Sequence, residues 1–215
     1  MNIDEAEDRL YALAEQKNAA ECLKLVESFP ALLERGFVKG SFLHWAASKD
    51  VPELIEHAIS KGMDVNAVND FDSTPLSNAA DYGAMDSVTY HLKNGADPNI
   101  GQGKHATAIV DAIISGHLDV VKLLIDGGAD VNACYRRRDS GETVNPLSFA
   151  EDYGHEEIAA LLREHRAVLP DRSGDPAPPR TFRDEVLDHA AKHIGPVERL
   201  ALHENVLLGV VSVSV

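Results

Sequence analysis

Apolar residues in the first three quarters of the chain recur at helical spacing, in short runs separated by small and turn-forming residues. In LDVVKLLIDGG, Val120, Val121, Leu123, Leu124 and Ile125 make a wide apolar face on one helix. Gly128 follows, suited to the left-handed conformation that ends a helix and that a β-carbon disfavours. A second kind of helix is predicted from SFLHWAAS, TPLSNAADYG, TAIVDAIISG and NPLSFAEDYG. In TPLSNAADYG, Thr74 suits the N-cap and Pro75 the first helical position, where a missing N–H costs little. Ala79 and Ala80 are small where two helices must approach, and Gly83 permits a tight turn between them. Asp130 and Asn132 suit a turn projecting toward the next pair.

These pairs repeat at a fixed interval. Gly62, Gly95 and Gly128 are 33 residues apart, as are Leu43, Leu76 and Ile109, and Ser41, Thr74 and Thr107. KGMDVNA, NGADPNI and GGADVNA close three of the units. This period, with T-P-L-x-x-A and G-A-D-x-N, resembles the ankyrin repeat over about residues 5–166. The resemblance implies a mainly α solenoid of about five helix–turn–helix units with β-turn fingers. The units fall at about 4–36, 37–69, 70–102, 103–135 and 136–166. One unit cannot bury its own apolar face, so neighbours must stack. The first unit, with no T-P-L, and the last, ending HEEIAALLREHRA, read as caps. Ser41-Phe42 replaces Thr-Pro, Asp50 replaces the turn glycine, and Ala108 replaces the proline. Thr107 to Asn145 is 38 residues, so five extra residues enter the finger within CYRRRDSGETV.

After the repeats, proline-rich text over 167–180 reads as a linker. TFRDEVLDHAAKHI then predicts a helix, with Thr181 as its cap and Phe182, Val186, Leu187, Ala190 and Ile194 on one face. VLLGVVSVSV predicts a strand, with Val211, Val213 and Val215 alternating with Ser212 and Ser214. DHAAKHIGPVERLALHE is similar to the opening of bacterial suppressor of fused-like domains, through His193, Ile194, Gly195, Glu198, His203 and Glu204. Residues 181–215 are therefore expected to be a short, incomplete α+β segment; the alternatives are a tail that docks on the last unit and a strand that pairs with a partner's sheet edge.

Charge narrows the partners. The 215 residues carry a net charge of −15, which argues against nucleic acid and anionic membranes and for a neutral or basic protein. Cys22 and Cys134 have neither metal nor disulfide spacing, so a reducing compartment, the cytoplasm, is expected. MNIDEAEDRLYALAEQ has no secretory pattern, and the longest apolar run is about half a membrane span.

Candidate chemistry is sparse. No nucleophile elbow, phosphate-cradling loop or activated cysteine is present, so no catalytic residue, cofactor or metal is expected. His189 and His193 have ligand spacing, with His203 beyond, but HAAKH lacks the zincin glutamate and reads as surface histidines. His44 and His117 read as structural, and Trp45 as core. The family resemblance implies a concave binding face of finger tips and first-helix ends. By register these are Asp70, Phe71, Ser73, Asp81, Tyr82, Ile114, Ser115, Asp152 and Tyr153. Tyr82 and Tyr153 occupy the same slot after an aspartate; they serve recognition or merely cover the turn. Arg136, Arg137 and Arg138 either contact an acidic patch on the partner or form a solvated loop. The expectation is a non-catalytic, monomeric protein-binding scaffold. The tail resemblance narrows it to a bacterial immunity protein neutralising a basic toxin. The alternative is a regulatory or targeting module of a larger enzyme or effector whose functional domain begins near residue 181.

Overall fold

A computed structural model describes residues 1–37, 40–101, 107–137 and 140–171. They all lie in one of two compact units, Met1–Gly174; the other, Asp175–Val215, lies outside the described residues. So do the predicted helix and strand of the tail, and His189, His193 and His203.

The helices come in consecutive pairs: α1 (Ile3–Glu15) with α2 (Ala19–Ser28), α3 (Phe42–Ser48) with α4 (Pro52–Ser60), α5 (Pro75–Asp81) with α6 (Met85–Lys93), α7 (Ala108–Ile114) with α8 (Leu118–Asp126), and α9 (Pro146–Asp152) with α10 (Glu156–Glu164). A 3₁₀ turn, Pro30–Glu34, follows α2. First helices α3, α5, α7 and α9 pack side by side in one layer, and α2, α4, α6, α8 and α10 in the other. Leu43, Leu54, Ile55, Leu76, Ile109, Ile113, Leu124 and Leu162 are buried between the layers. The chain is thus mainly α, a stack of repeats with finger turns.

Particular residues set each joint. Thr74 caps α5, its Oγ1 accepting from Ser77 N–H at 3.1 Å, and Asn145 Oδ1 caps α9 from Ser148 N–H at 3.0 Å. At Ser41-Phe42 the neighbouring ring helps. His44 Nδ1 accepts from Ser41 N–H at 3.3 Å, so its proton sits on Nε2, which donates to the Ser73 carbonyl at 3.0 Å. The G-A-D-x-N asparagines form a ladder between units. Asn66, Asn99 and Asn132 accept through Oδ1 from the N–H groups of Asp97, Asp130 and Val168 at 2.9, 2.8 and 3.0 Å. Each also donates through Nδ2 to the carbonyl of Gly95, Gly128 or Arg166.

The turn between paired helices explains the Asp50 departure. Gly83, at φ +68°, lies beneath the His117 ring, and a β-carbon there would sit 2.8 Å from that ring. Gly116 lies beneath His155 in the same way. Opposite Asp50 (φ +54°) the corresponding residue is the small Ala84, so there is room for a side chain. That carboxylate accepts from Ser87 N–H at 2.9 Å and caps α6 of the next unit. Lys17 donates to the Asp50 carbonyl at 2.9 Å and lies 3.3 Å from its carboxylate.

The finger insertion is a short antiparallel hairpin, β1 (Tyr135–Arg136) with β2 (Thr143–Val144), pairing Tyr135 with Val144 and Arg136 with Thr143. It is anchored where the T-P pattern was lost: the Tyr135 hydroxyl bonds to Thr107 Oγ1 at 2.7 Å. Burial pushes that phenol up to about 12. Trp45 is buried, stacked on Phe37 at 5.0 Å and flanked by Tyr11 and Phe42. It belongs to the core.

Candidate protein-binding face

The finger leading into α5 is held by one asparagine. Asn69 Oδ1 accepts from the N–H groups of Phe71 at 2.9 Å and Ser73 at 3.0 Å. Its own N–H donates to the Ser73 carbonyl at 3.0 Å, and Asp72, at φ +59°, completes the turn. With the Phe71 N–H committed to Asn69, the loop is fixed, and the Phe71 side chain is 64% exposed. Val68 on the same finger is 51% exposed. A large apolar side chain held out on a rigid turn loses little entropy when a partner covers it.

Two grooves flank this tip. One, of about 440 Å³, is lined by Asn69, Phe71, Ser73, Ser77, Asn78, Asp81 and Asp111. The other, also about 440 Å³, runs between Leu33–Phe37 and Ala67–Phe71. Asp81, at the end of α5, accepts from the Ser115 hydroxyl at 3.0 Å through its carboxylate and from His117 Nε2–H at 3.1 Å through its carbonyl. The expected residues Phe71, Ser73 and Asp81 thus line one groove, while Asp70 lines the other beside Phe71. Ser115 joins them through Asp81, while Ile114 is half-buried against the core.

The remaining expected residues are distributed differently. Tyr82 and Tyr153 are each 52% exposed. Tyr153 stacks against the His155 ring at 6.4 Å, so it covers the turn while keeping half its surface in solvent. The arginine run is not presented as a free basic patch. Arg137 forms an ion pair with Asp152, and its guanidinium lies 5.3 Å from the Phe149 ring centre. Both Arg137 and Asp152 are therefore used within the chain, where they hold the hairpin onto α9. Arg136 is exposed, and Arg138 lies outside the described residues.

Sequence reasoning missed Asp111, Asn78 and Val68. The signal for Asp111 was its register. The fourth position of each first helix holds Trp45, Asn78, Asp111 and Phe149, so two polar residues interrupt an otherwise aromatic row. Among the described residues, no helix is long and apolar enough to cross a membrane, and no cluster of histidine, cysteine and acidic side chains is arranged to hold a metal.

Stacked helix pairs, an asparagine ladder and projecting fingers define a helical repeat solenoid. The family profile described as "Ankyrin repeats (3 copies)" matches residues 43–134 and 82–173, more than half of the chain. The chain belongs to the ankyrin repeat family. It is 31% identical over 118 residues to cyclin-dependent kinase 4 inhibitor B of Rattus norvegicus, covering 54% of this chain and 86% of that protein. It is 35% identical over 119 residues to the E3 ubiquitin-protein ligase Ufd4 of Drosophila melanogaster, covering 54% of this chain but only 4% of that protein. With the ankyrin repeat protein nuc-2 of Neurospora crassa, it shares 27% identity over 161 residues, 69% of this chain and 14% of that protein.

Proposed function

We propose that the chain is a non-catalytic binding module that seats a protein partner across its finger tips and first helices. The observation that carries this reading is Phe71, held 64% exposed on a hydrogen-bonded tip between two grooves. Exposed aromatic anchors beside desolvatable pockets are where interface energy concentrates. Tyr82 and Tyr153 extend the same surface along the stack. The ankyrin repeats support a protein as the bound species, and the rat relative is by name an inhibitor of a kinase. The module acts as a monomer in the cytoplasm.

The net charge of −15 and the acidic groove support a basic partner. A cationic toxin neutralised by occlusion is the narrower form of this reading, and its support is that charge together with the C-terminal resemblance. The relatives described above are eukaryotic and lend nothing to a bacterial setting. A second reading, a regulatory or targeting module of a larger enzyme or effector, is supported by the small share of Ufd4 and nuc-2 that the similarity covers.

The test is affinity purification from the source cell with the natural chain and with F71A/Y82A/Y153A as parallel baits. The proposal expects a protein recovered by the first and lost from the second, with the helical circular dichroism of the two baits equal. Recovery by both baits places the interface elsewhere. A toxin-like protein among the lost species supports the narrower reading, and its absence counts against it.

A further inference from the structure

We propose that His44 is a proton-operated latch on the Phe71 finger: its neutral ring holds the finger to α3, and a charged ring lets go. This inference rests on the protein-binding reading above, because the finger matters as the carrier of Phe71, and it names how that face is regulated.

The ring is the joint between three segments, and it is buried. Its Nδ1 accepts from the Ser41 N–H at 3.3 Å and lies 2.9 Å from the Ser41 hydroxyl, at the start of α3. Its Nε2–H donates to the Ser73 carbonyl at 3.0 Å, and Ser73 is part of the turn that Asn69 organises around Phe71. A β-carbon on Gly40 would lie 2.9 Å from the Asn69 side chain and 3.0 Å from the His44 ring, so the backbone at Gly40 closes over both.

A second proton has no place in this arrangement. It would go to Nδ1, which then points an N–H at the Ser41 N–H. The Ser41 hydroxyl can turn to accept it, but the Ser41 N–H loses its acceptor and a cation is left in a dry site. Desolvation accordingly lowers the pKa of His44 from 6.5, against the bonds to the Ser73 and Ala67 carbonyls, which raise it. Both nitrogens belong to one rigid ring. Turning Nδ1 out to water therefore withdraws Nε2 from Ser73 and releases the finger.

The surroundings give the ring an outlet on one side only. It borders the groove of about 440 Å³ between Leu33–Phe37 and Ala67–Phe71. Among the described residues, Glu34 and Asp70 line that groove and favour a charged ring in it, and Arg35 lines it while paired with Asp4 and Glu7. Toward the core, α4 turns Leu54, Ile55 and Ala58 inward, and α5 offers the uncharged Asn78, whose amide lies 3.5 Å from the His44 carbonyl. From α6 comes His91, whose charge would repel that of His44. The latched finger binds fewer protons than the released one, so the latch holds above pH 6.5 and weakens as pH falls below it.

The test is amide hydrogen exchange of the full chain by NMR at pH 7.5 and 5.5, each rate divided by its intrinsic rate at that pH. His91→Leu is the background, so that the second buried histidine does not titrate. There the Ser41, Phe71 and Ser73 N–H groups should lose protection at pH 5.5 by ~3-fold or more. The ceiling is ~10-fold, because one proton taken up on opening shifts the equilibrium by at most tenfold per pH unit below 6.5. Core amides of α8 should not change. Adding His44→Gln, which does not titrate, should abolish the pH response. The ring nitrogen shifts of His44 read the same event with no substitution at the latch: they should be those of the neutral Nε2–H ring at pH 7.5 and change together with the three amides. Unchanged protection of those amides, an equal loss in α8, a ring that charges without them, or an undiminished response after His44→Gln overturns the latch. None of these readouts needs a partner, so equal capture by the two affinity baits above would overturn the binding reading alone.

Discussion

His91 sits where the two following units hold leucine and the preceding one holds Ala58. It is the seventh residue of α6, as Leu124 is of α8 and Leu162 of α10, and it is fully buried. Its Nδ1 is 2.8 Å from the Ser87 carbonyl, so Nδ1 carries the proton, while Nε2 is buried without a partner. Burial lowers its pKa from 6.5 to about 4, outweighing the bond to the Ser87 carbonyl, which raises it; His44 lowers it further. The folded state therefore keeps His91 neutral where the unfolded chain protonates it. Stability is intact above the unfolded pKa and is lost as pH falls from about 6.5 toward about 4. Linkage between those two values gives a loss of about 2 kcal/mol at pH 5 relative to pH 8 from this residue alone. H91L removes that loss. It also removes the unpartnered nitrogen, worth about 1 kcal/mol at pH 8. The assay is urea unfolding of the full chain at both pH values, followed by circular dichroism. His44, whose pKa burial also lowers, is common to both proteins. H91L should lose about 2 kcal/mol less than the natural chain between pH 8 and pH 5. Equal losses would show that His91 titrates normally in the folded state and would refute its burial as a neutral ring.

Three further outcomes follow from the joints between units. D50A should cost about 1–2 kcal/mol, because it removes the cap on Ser87 N–H and leaves a β-carbon at φ +54°. D50G should cost less, since glycine relieves the backbone; equal melting temperatures for D50A and D50G would contradict this. G83A should destabilise by about 1–3 kcal/mol through its clash with the His117 ring and its φ of +68°. G83A/H117A should recover the clash alone, and no recovery in thermal melts would mean that the ring is not the obstacle. R137Q should speed amide exchange at Arg137 and Gly141, whose N–H groups close the hairpin, by ~5-fold or more while leaving α5 to α8 unchanged. Unchanged exchange there would mean that the pair with Asp152 does not hold the finger.

The repeat architecture was legible because its residues act locally or at a constant interval. Thr74, Pro75, Gly83 and Gly128 each do at their own position what the spacing implies, and the ladder asparagines recur every 33 residues. Departures were legible as departures but not as functions. The partner of Asp50 is Ser87 N–H, 37 positions on, and nothing local at Asp50 names it. The fate of Arg137 was hidden for a similar reason: the register of a five-residue insertion decides whether its guanidinium meets solvent or Asp152. Phe71 was found because an apolar residue in a turn is conspicuous. Asp111 was missed because its significance lies in lining the groove below that turn, a relation between two units.

The proposed partner lies on the finger and first-helix side of the stack. The most direct measurement places a photo-reactive benzophenone side chain at Phe71 and, in a second protein, at the exposed Lys122 on α8, and irradiates each in source-cell lysate. A partner on that side gives a discrete covalent adduct from position 71, abolished by excess unlabelled chain, and none from position 122. An adduct from position 122 with none from position 71 would contradict it.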